Sequence, residues 1–220
     1  MTRLVWDEIG KRTYETGADQ GVLFTQNANG SYATGVAWNG LTNFTKSPTG
    51  GDASKHYANN KLYLVTRSLE EVEGSIAAYT YPSEFKGCLG KKELAKGIWA
   101  SQQTRQAFGL AVRTQIGNDT EFENYGYKIN LIYGATTSPS EEAHDTINDS
   151  SDVPTMTFNF TTTPVEVGMD GFKATSSLEI STEDFDAATI KKLEDIIYGT
   201  AEAEPRLPLP AEVITILSAA

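Results

Sequence analysis

The groups that could do chemistry in this chain are few: two imidazoles, one thiol and several clustered carboxylates. His144 precedes Asp145, and a base oriented by a carboxylate is two-thirds of a hydrolytic triad. The pair lies in a polar stretch with no sharp turn carrying a serine nucleophile, so it reads as a surface histidine. His56 and His144 have no metal-ligand spacing. The run from Asp145 to Asp152 is rich in oxygen ligands for calcium but lacks the glycine and the closing glutamate of an EF-hand loop. The neighbours Glu70-Glu71 and Glu141-Glu142 are carboxylate pairs of the kind acid–base chemistry uses, but the sequence shows no apolar pocket beside them, and they read as solvated. No glycine-rich loop leads from a strand into a helix to cradle a phosphate. The sequence predicts no catalytic centre, no metal site and no cofactor.

Bulk properties narrow the partners. The chain has 220 residues and a formal charge of −11, from 29 acidic and 18 basic residues. Gripping nucleic acid needs a basic footprint, which this balance argues against, although an acidic wall can enclose DNA without holding it. Cys88 is the only cysteine, so no intrachain disulfide forms and folding in a reducing compartment is expected. The first ten residues include Asp7 and Glu8 and read as no signal peptide, and no stretch suits a membrane span.

The elements that must position any site are mostly strands. Residues Phe108, Leu110, Val112, Thr114 and Ile116 alternate with Ala107, Gly109, Ala111, Arg113 and Gln115. Tyr127 to Tyr133, Thr155 to Thr162 and Phe172 to Ile180 repeat that period of two, the mark of half-buried strands. At Ser181 the period changes. Ser181-Thr182-Glu183-Asp184 resembles a capping box, followed by Phe185, Ile190, Leu193 and Ile197 at helical spacing and by Gly199 as a stop. Earlier, Arg12 to Gln26 reads as two strands about a turn at Gly17-Ala18-Asp19, and Gly35 to Phe44 as a strand interrupted at Asn39-Gly40. Asn27 to Gly30 is a turn, Lys61 to Arg67 a short strand and Glu70 to Tyr81 a longer one.

Ser47 to Asn60 reads as a long loop, apolar only at Tyr57, and the polar stretch Ser138 to Pro154 as another. Lys86 to Arg105 is a glycine-broken connection with Trp99 as its anchor. Residues 201–220, with Pro205, Pro208 and Pro210 before an apolar run at Val213-Ile214, read as a C-terminal arm. That arm either docks on a neighbour or covers its own sheet edge. The expected fold is mainly β: a β-sandwich or barrel-like sheet with one flanking α-helix near the C-terminus, long loops and the arm. It is one domain, 1–200, with 201–220 as appendage.

Several stretches together resemble the major tail (tail tube) protein of long-tailed, siphovirus-type bacteriophages. They are Leu4 to Gly17, Gly35 to Leu41, Ala78 to Phe85, Phe108 through Thr120, Tyr127 to Gly134, and Pro205 to Pro210. The resemblance implies a virion structural protein made in the host cytoplasm, with a β-sandwich core and a flanking helix. Its copies would form stacked, hexameric rings that house the tape-measure protein, meet other tail proteins and conduct DNA, with no membrane insertion. Candidate interface residues are then Ser47, Pro48, Gly50, Asp52, Tyr57, Trp99, Pro208, Val213 and Ile214, and candidate lumen residues Glu71, Glu73 and Glu179. The competing reading is a carbohydrate-type binding module, which needs an exposed aromatic face; Tyr79, Tyr81 and Trp99 are its candidates.

Overall fold

The alternating segments become the strands of one large antiparallel sheet. The computed structural model describes residues 3–68, 70–142, 146 and 153–218. In chain order its strands are β1 (Thr13–Thr25), β2 (Val36–Trp38), β3 (Leu41–Gly50), β4 (Ala53–Ala58), β5 (Lys61–Arg67) and β6 (Glu70–Ala78). There follow β7 (Lys92–Ala95), β8 (Ile98–Ala100), β9 (Phe108–Asn118), β10 (Phe122–Thr137), β11 (Met156–Thr162) and β12 (Ser177–Ser181). Helix α1 (Phe85–Cys88) is a single turn; α2 (Ala187–Tyr198) and α3 (Pro210–Ser218) lie near the C-terminus, two helices where the sequence suggests one.

The sheet runs β2-β1-β9-β10-β11-β6-β3, with β12 also paired to β10, while β4–β5 and β7–β8 are separate ribbons. The sheet curls until its ends approach: a side chain on Gly21 of β1 would collide with Leu41 of β3. Inside the curl lie Leu23, Trp38, Ile76, Ala78, Phe85, Phe108, Leu110, Val112, Ile132, Phe158 and Phe160. On the other side of β1, β9 and β10, Val22, Phe24, Ala111, Ile129, Leu131 and Tyr133 pack against Ile190, Leu193 and Ile197 of α2 and Val213 of α3. The centre of the sheet is therefore buried on both faces. Gly134, in the left-handed region (φ 58°) with the Thr163 backbone against it, accompanies a register shift in β10 between Ile132 and Ala135. That bulge lets Ile132 and Ala135 both face the inner cluster despite their odd spacing.

Three local expectations are corrected. Gly17-Ala18-Asp19 is not a turn: β1 continues through it with register shifts between Thr16, Asp19 and Val22, because β9 supplies partners on both sides of the irregularity. The Phe172–Ile180 run is strand only from Ser177, where β12 (Ser177–Ser181) begins, and Phe172 is exposed. Ser181 does not cap the helix. Thr182–Asp184 forms a 3-10 turn and Asp186 is the N-cap, its carboxylate accepting from the Thr189 amide (2.8 Å) and hydroxyl (2.9 Å). Of the two courses left open for the residues after 200, these take packing on their own chain: the Arg206 amide donates to the Ile196 carbonyl (2.9 Å), and Leu207 and Val213 enter the core.

Phe85 is the pin of the inner cluster. Its ring sits edge-on to Phe108 (5.3 Å) and Phe158 (5.2 Å) and 4.5 Å from Trp38, joining β2, β9 and β11 through a one-turn helix. Phe85→Ala is expected to cost about 3–5 kcal/mol, read as a lower urea midpoint at unchanged slope.

Candidate assembly surface

The most conspicuous surface feature is a ribbon that touches little of its own body. After β3 the chain turns at Gly50 and Gly51, both left-handed (φ 79° and 73°), and runs out as β4, returning as β5 before β6 begins. Every residue of β4 and β5 is exposed, including Tyr57, Leu62, Tyr63, Leu64 and Val65. This corrects the loop expected over Ser47–Asn60. Ser47, Pro48 and Gly50 pair with Glu73, Val72 and Glu70 within the main sheet, and Asp52 accepts from the Ser68 amide (3.3 Å) at the ribbon's root. The signal for a hairpin was Asn59-Asn60, whose φ angles of 51° and 61° fit a two-residue turn of the primed kind. The ribbon carries Lys55, Lys61 and Arg67 and no acid, a formal +3 on a chain of −11.

A second surface lies at the ribbon's base. On β3, β6 and β11 the inward positions are Phe44, Ile76, Phe158 and Phe160, so the outward ones fall between them. Those outward residues are Asn43, Thr45, Ser47 and Thr49; Glu71, Glu73, Ser75 and Ala77; and Thr157, Asn159 and Thr161. Glu73 lies between Ser47 and Thr161, and Glu71 opposite Thr49, so two acids stand on a hydroxyl-rich face without a base in the paired register. No described helix covers this third of the sheet.

Glu179 is elsewhere. It pairs in register with Asn130, on the side of β12 away from Leu178 and Ile180, and its carboxylate forms an ion pair with Lys46. Lys128 binds Glu15 (2.6 Å), whose other oxygen accepts from the Thr114 hydroxyl (2.8 Å). Glu15, Lys46, Lys128 and Glu179 thus link β1, β3, β10 and β12 at one end of the curl. Burial would raise the Glu15 carboxyl, but the Lys128 and Thr114 hydrogen bonds and the charges of Lys128 and Lys46 hold it below its ordinary value. Burial lowers the Lys46 ammonium, Glu15 opposing the shift and Lys128 adding to it. This cluster was missed in the sequence. Its signal was charge at positions sharing the parity of Phe44 and Ile132, where apolar residues are expected.

The remaining candidates separate. Trp99 is partly exposed, with the Lys86 ammonium 4.4 Å above its ring. Pro208 and Val213 are buried within the chain, the Pro208 carbonyl accepting from the Tyr133 hydroxyl (2.9 Å), and Ile214 is half-buried. Tyr81 turns inward onto Phe85 and Phe158 because β6 ends at Ala78, which removes it from any aromatic platform with Tyr79 and Trp99. His56 hydrogen-bonds the Thr66 hydroxyl (2.8 Å) within the ribbon. Cys88 is buried, and burial pushes its thiol up to about 12. Among the described residues, no three His, Cys, Asp or Glu side chains are grouped to hold a metal ion. His144 and most of the Asp145–Asp152 run lie outside the described residues. No described helix is long and apolar enough to cross a membrane.

No protein-family model matches the chain, and a comparison with curated proteins finds no relative.

The ion-pair cluster has a pH signature. Because the folded-state pKa of Glu15 lies below its ordinary 4.5, its contribution is complete above that value and is lost as pH falls through the folded pKa. Glu15→Gln is expected to lower the urea midpoint near neutrality, and the gap from wild type to close as pH is lowered from about 7 to about 3.

Proposed function

We propose that this chain is a structural subunit that assembles with copies of itself into stacked rings forming a tube, of the kind its sequence resembles in long-tailed phages. The observation that carries the reading is the β4–β5 ribbon. It is a basic, apolar hairpin, free of support from its own body, on an otherwise acidic protein. Exposed apolar residues on such an element are costly to leave in water, and its charge suits the surface of another copy. A contact between unlike surfaces of identical subunits is heterologous, and heterologous contacts make rings when the rotation closes.

The outward face of β3, β6 and β11 supplies the rest of the proposal. A conduit for DNA needs a wall that repels phosphate and offers no base to hold it. Glu71 and Glu73, among threonines and serines, suit such a wall. In this reading the tube encloses a tape-measure protein before DNA passes, and the subunit belongs to a virion tail assembled in the host cytoplasm. Ser47 stands on the same face, while Pro48, Gly50, Asp52 and Tyr57 lie where the ribbon leaves the body or along it.

Reversing the ribbon's charge tests this directly. Lys55→Glu, Lys61→Glu and Arg67→Glu together are expected to raise the concentration needed for association at least about tenfold. Far-UV circular dichroism should be unchanged, since all three side chains are exposed. Wild-type association, followed by light scattering, should weaken as salt is added. Association by the triple variant at wild-type concentrations would count against the reading.

A further inference from the structure

The β9–β10 pair has exposed aromatic and apolar groups at each end, in surroundings of opposite charge. At the Phe108 end stands the β7–β8 hairpin. Its root is tied down: the Gln103 amide donates to the Gly90 carbonyl (2.9 Å), and Arg105 donates through Nη1 to the carbonyl of Thr137, the last residue of β10 (2.6 Å). Beyond the root, β7 is exposed throughout, as are Ile98 and Trp99 of β8, and Leu94 reaches 72%. Residues 86–100 hold Lys86, Lys91, Lys92 and Lys96 against the single acid Glu93. Lys91 binds Glu142 (2.6 Å), while Lys92 and Lys96 are exposed.

At the other end β9 turns into β10 between Asn118 and Phe122. Phe122 is exposed and held in the left-handed region (φ 54°), a conformation that bulky residues rarely adopt. Residues 118–125 hold Asp119, Glu121 and Glu123 and no base. Glu183 and Asp184 join them there, because the Thr182 hydroxyl accepts from the Tyr127 amide (3.1 Å) and donates to the Tyr127 carbonyl (2.9 Å). Of the bases nearby, Arg12 stands 3.8 Å from Asp119 and Lys11 pairs with Glu8. Glu121, Glu123, Glu183 and Asp184 are all exposed.

We infer that the β7–β8 hairpin of one copy seats on the β9–β10 turn of a second, with Lys92 and Lys96 against Glu121 and Glu123, and Leu94, Ile98 and Trp99 around Phe122. Unlike charge selects this partner, and the contact takes apolar groups on both sides out of water. The two surfaces cannot meet within one chain. β9 separates them by roughly 33 Å at about 3.3 Å per residue, and the four residues of β7 reach only about 13 Å. A head-to-tail contact between opposite ends of identical subunits, with no rotation to close it, continues as a filament. The inference rests on the self-assembly reading and supplies the contact between successive rings, separate from the β4–β5 ribbon.

The test is a charge exchange in the full chain. Wild type is compared with Lys92→Glu plus Lys96→Glu, with Glu121→Lys plus Glu123→Lys, and with the protein carrying all four changes. Sedimentation velocity and negative-stain electron microscopy follow each over a concentration series at low salt. Either pair of changes should leave single rings and raise the concentration at which they lengthen into tubes about tenfold or more. All four together should recover lengthening, since the same charges meet with their signs exchanged. Far-UV circular dichroism should be unchanged, because all four side chains are exposed. Wild-type rings that never lengthen, paired variants that lengthen like wild type, or a fourfold variant no better than either pair would overturn this contact and leave ring formation standing. A wild-type chain that stays monomeric at every concentration would overturn both.

Discussion

The β9–β10 pair must bury two faces at once, and the rest of the molecule is arranged around that need. On one side Phe108, Leu110, Val112 and Ile132 require the sheet to curl over them, which brings β11, β6 and β3 round with Phe158 and Phe160. On the other, Ala111, Ile129, Leu131 and Tyr133 require a cover, which α2 and α3 provide. Small residues allow that cover to sit close: a side chain on Gly109 would collide with Leu207. Dense packing of this kind on both faces leaves little tolerance for change in volume.

The helices cover only one part of the sheet. Where β3, β6 and β11 continue the curl, their outward side chains are hydroxyls, two amides, two carboxylates and the single methyl of Ala77, which need no apolar lid. Between β3 and β6 the chain runs out as the basic β4–β5 ribbon, a sheet of its own. The molecule is therefore asymmetric: a sealed side under helices, a polar open side, and a hairpin reaching away from both. A closed ring would give each of these a separate place, with the open side inward and the ribbon on a neighbour.

Much of the architecture was legible because burial on strands leaves a period of two. The strands at Phe108 and Tyr127 and the helix through Ile190, Leu193 and Ile197 carry their pattern plainly. Gly40 breaks β2 from β3 where Asn39-Gly40 suggested a break. What was not legible depended on partners distant in sequence. The polar run from Ser47 becomes strand because Glu70 to Glu73 and Lys61 to Arg67 supply hydrogen-bonding edges, which local composition does not reveal. Val213 gave an apolar signal without a destination, and the packing of α2 on the sheet decides it in favour of the chain's own core. The three lumen candidates were chosen as acids on strands; the register puts Glu71 and Glu73 on one open face and ties Glu179 to Lys46.

Cryo-electron microscopy of the concentrated protein tests the central claim most directly. Rings or tubes with a central channel are expected, the outward face of β3, β6 and β11 lining it with Glu71 and Glu73, and each β4–β5 ribbon lying on an adjacent copy. Tubes whose channel is lined instead by α2 and α3, with Glu71 and Glu73 on the outer surface, would contradict it.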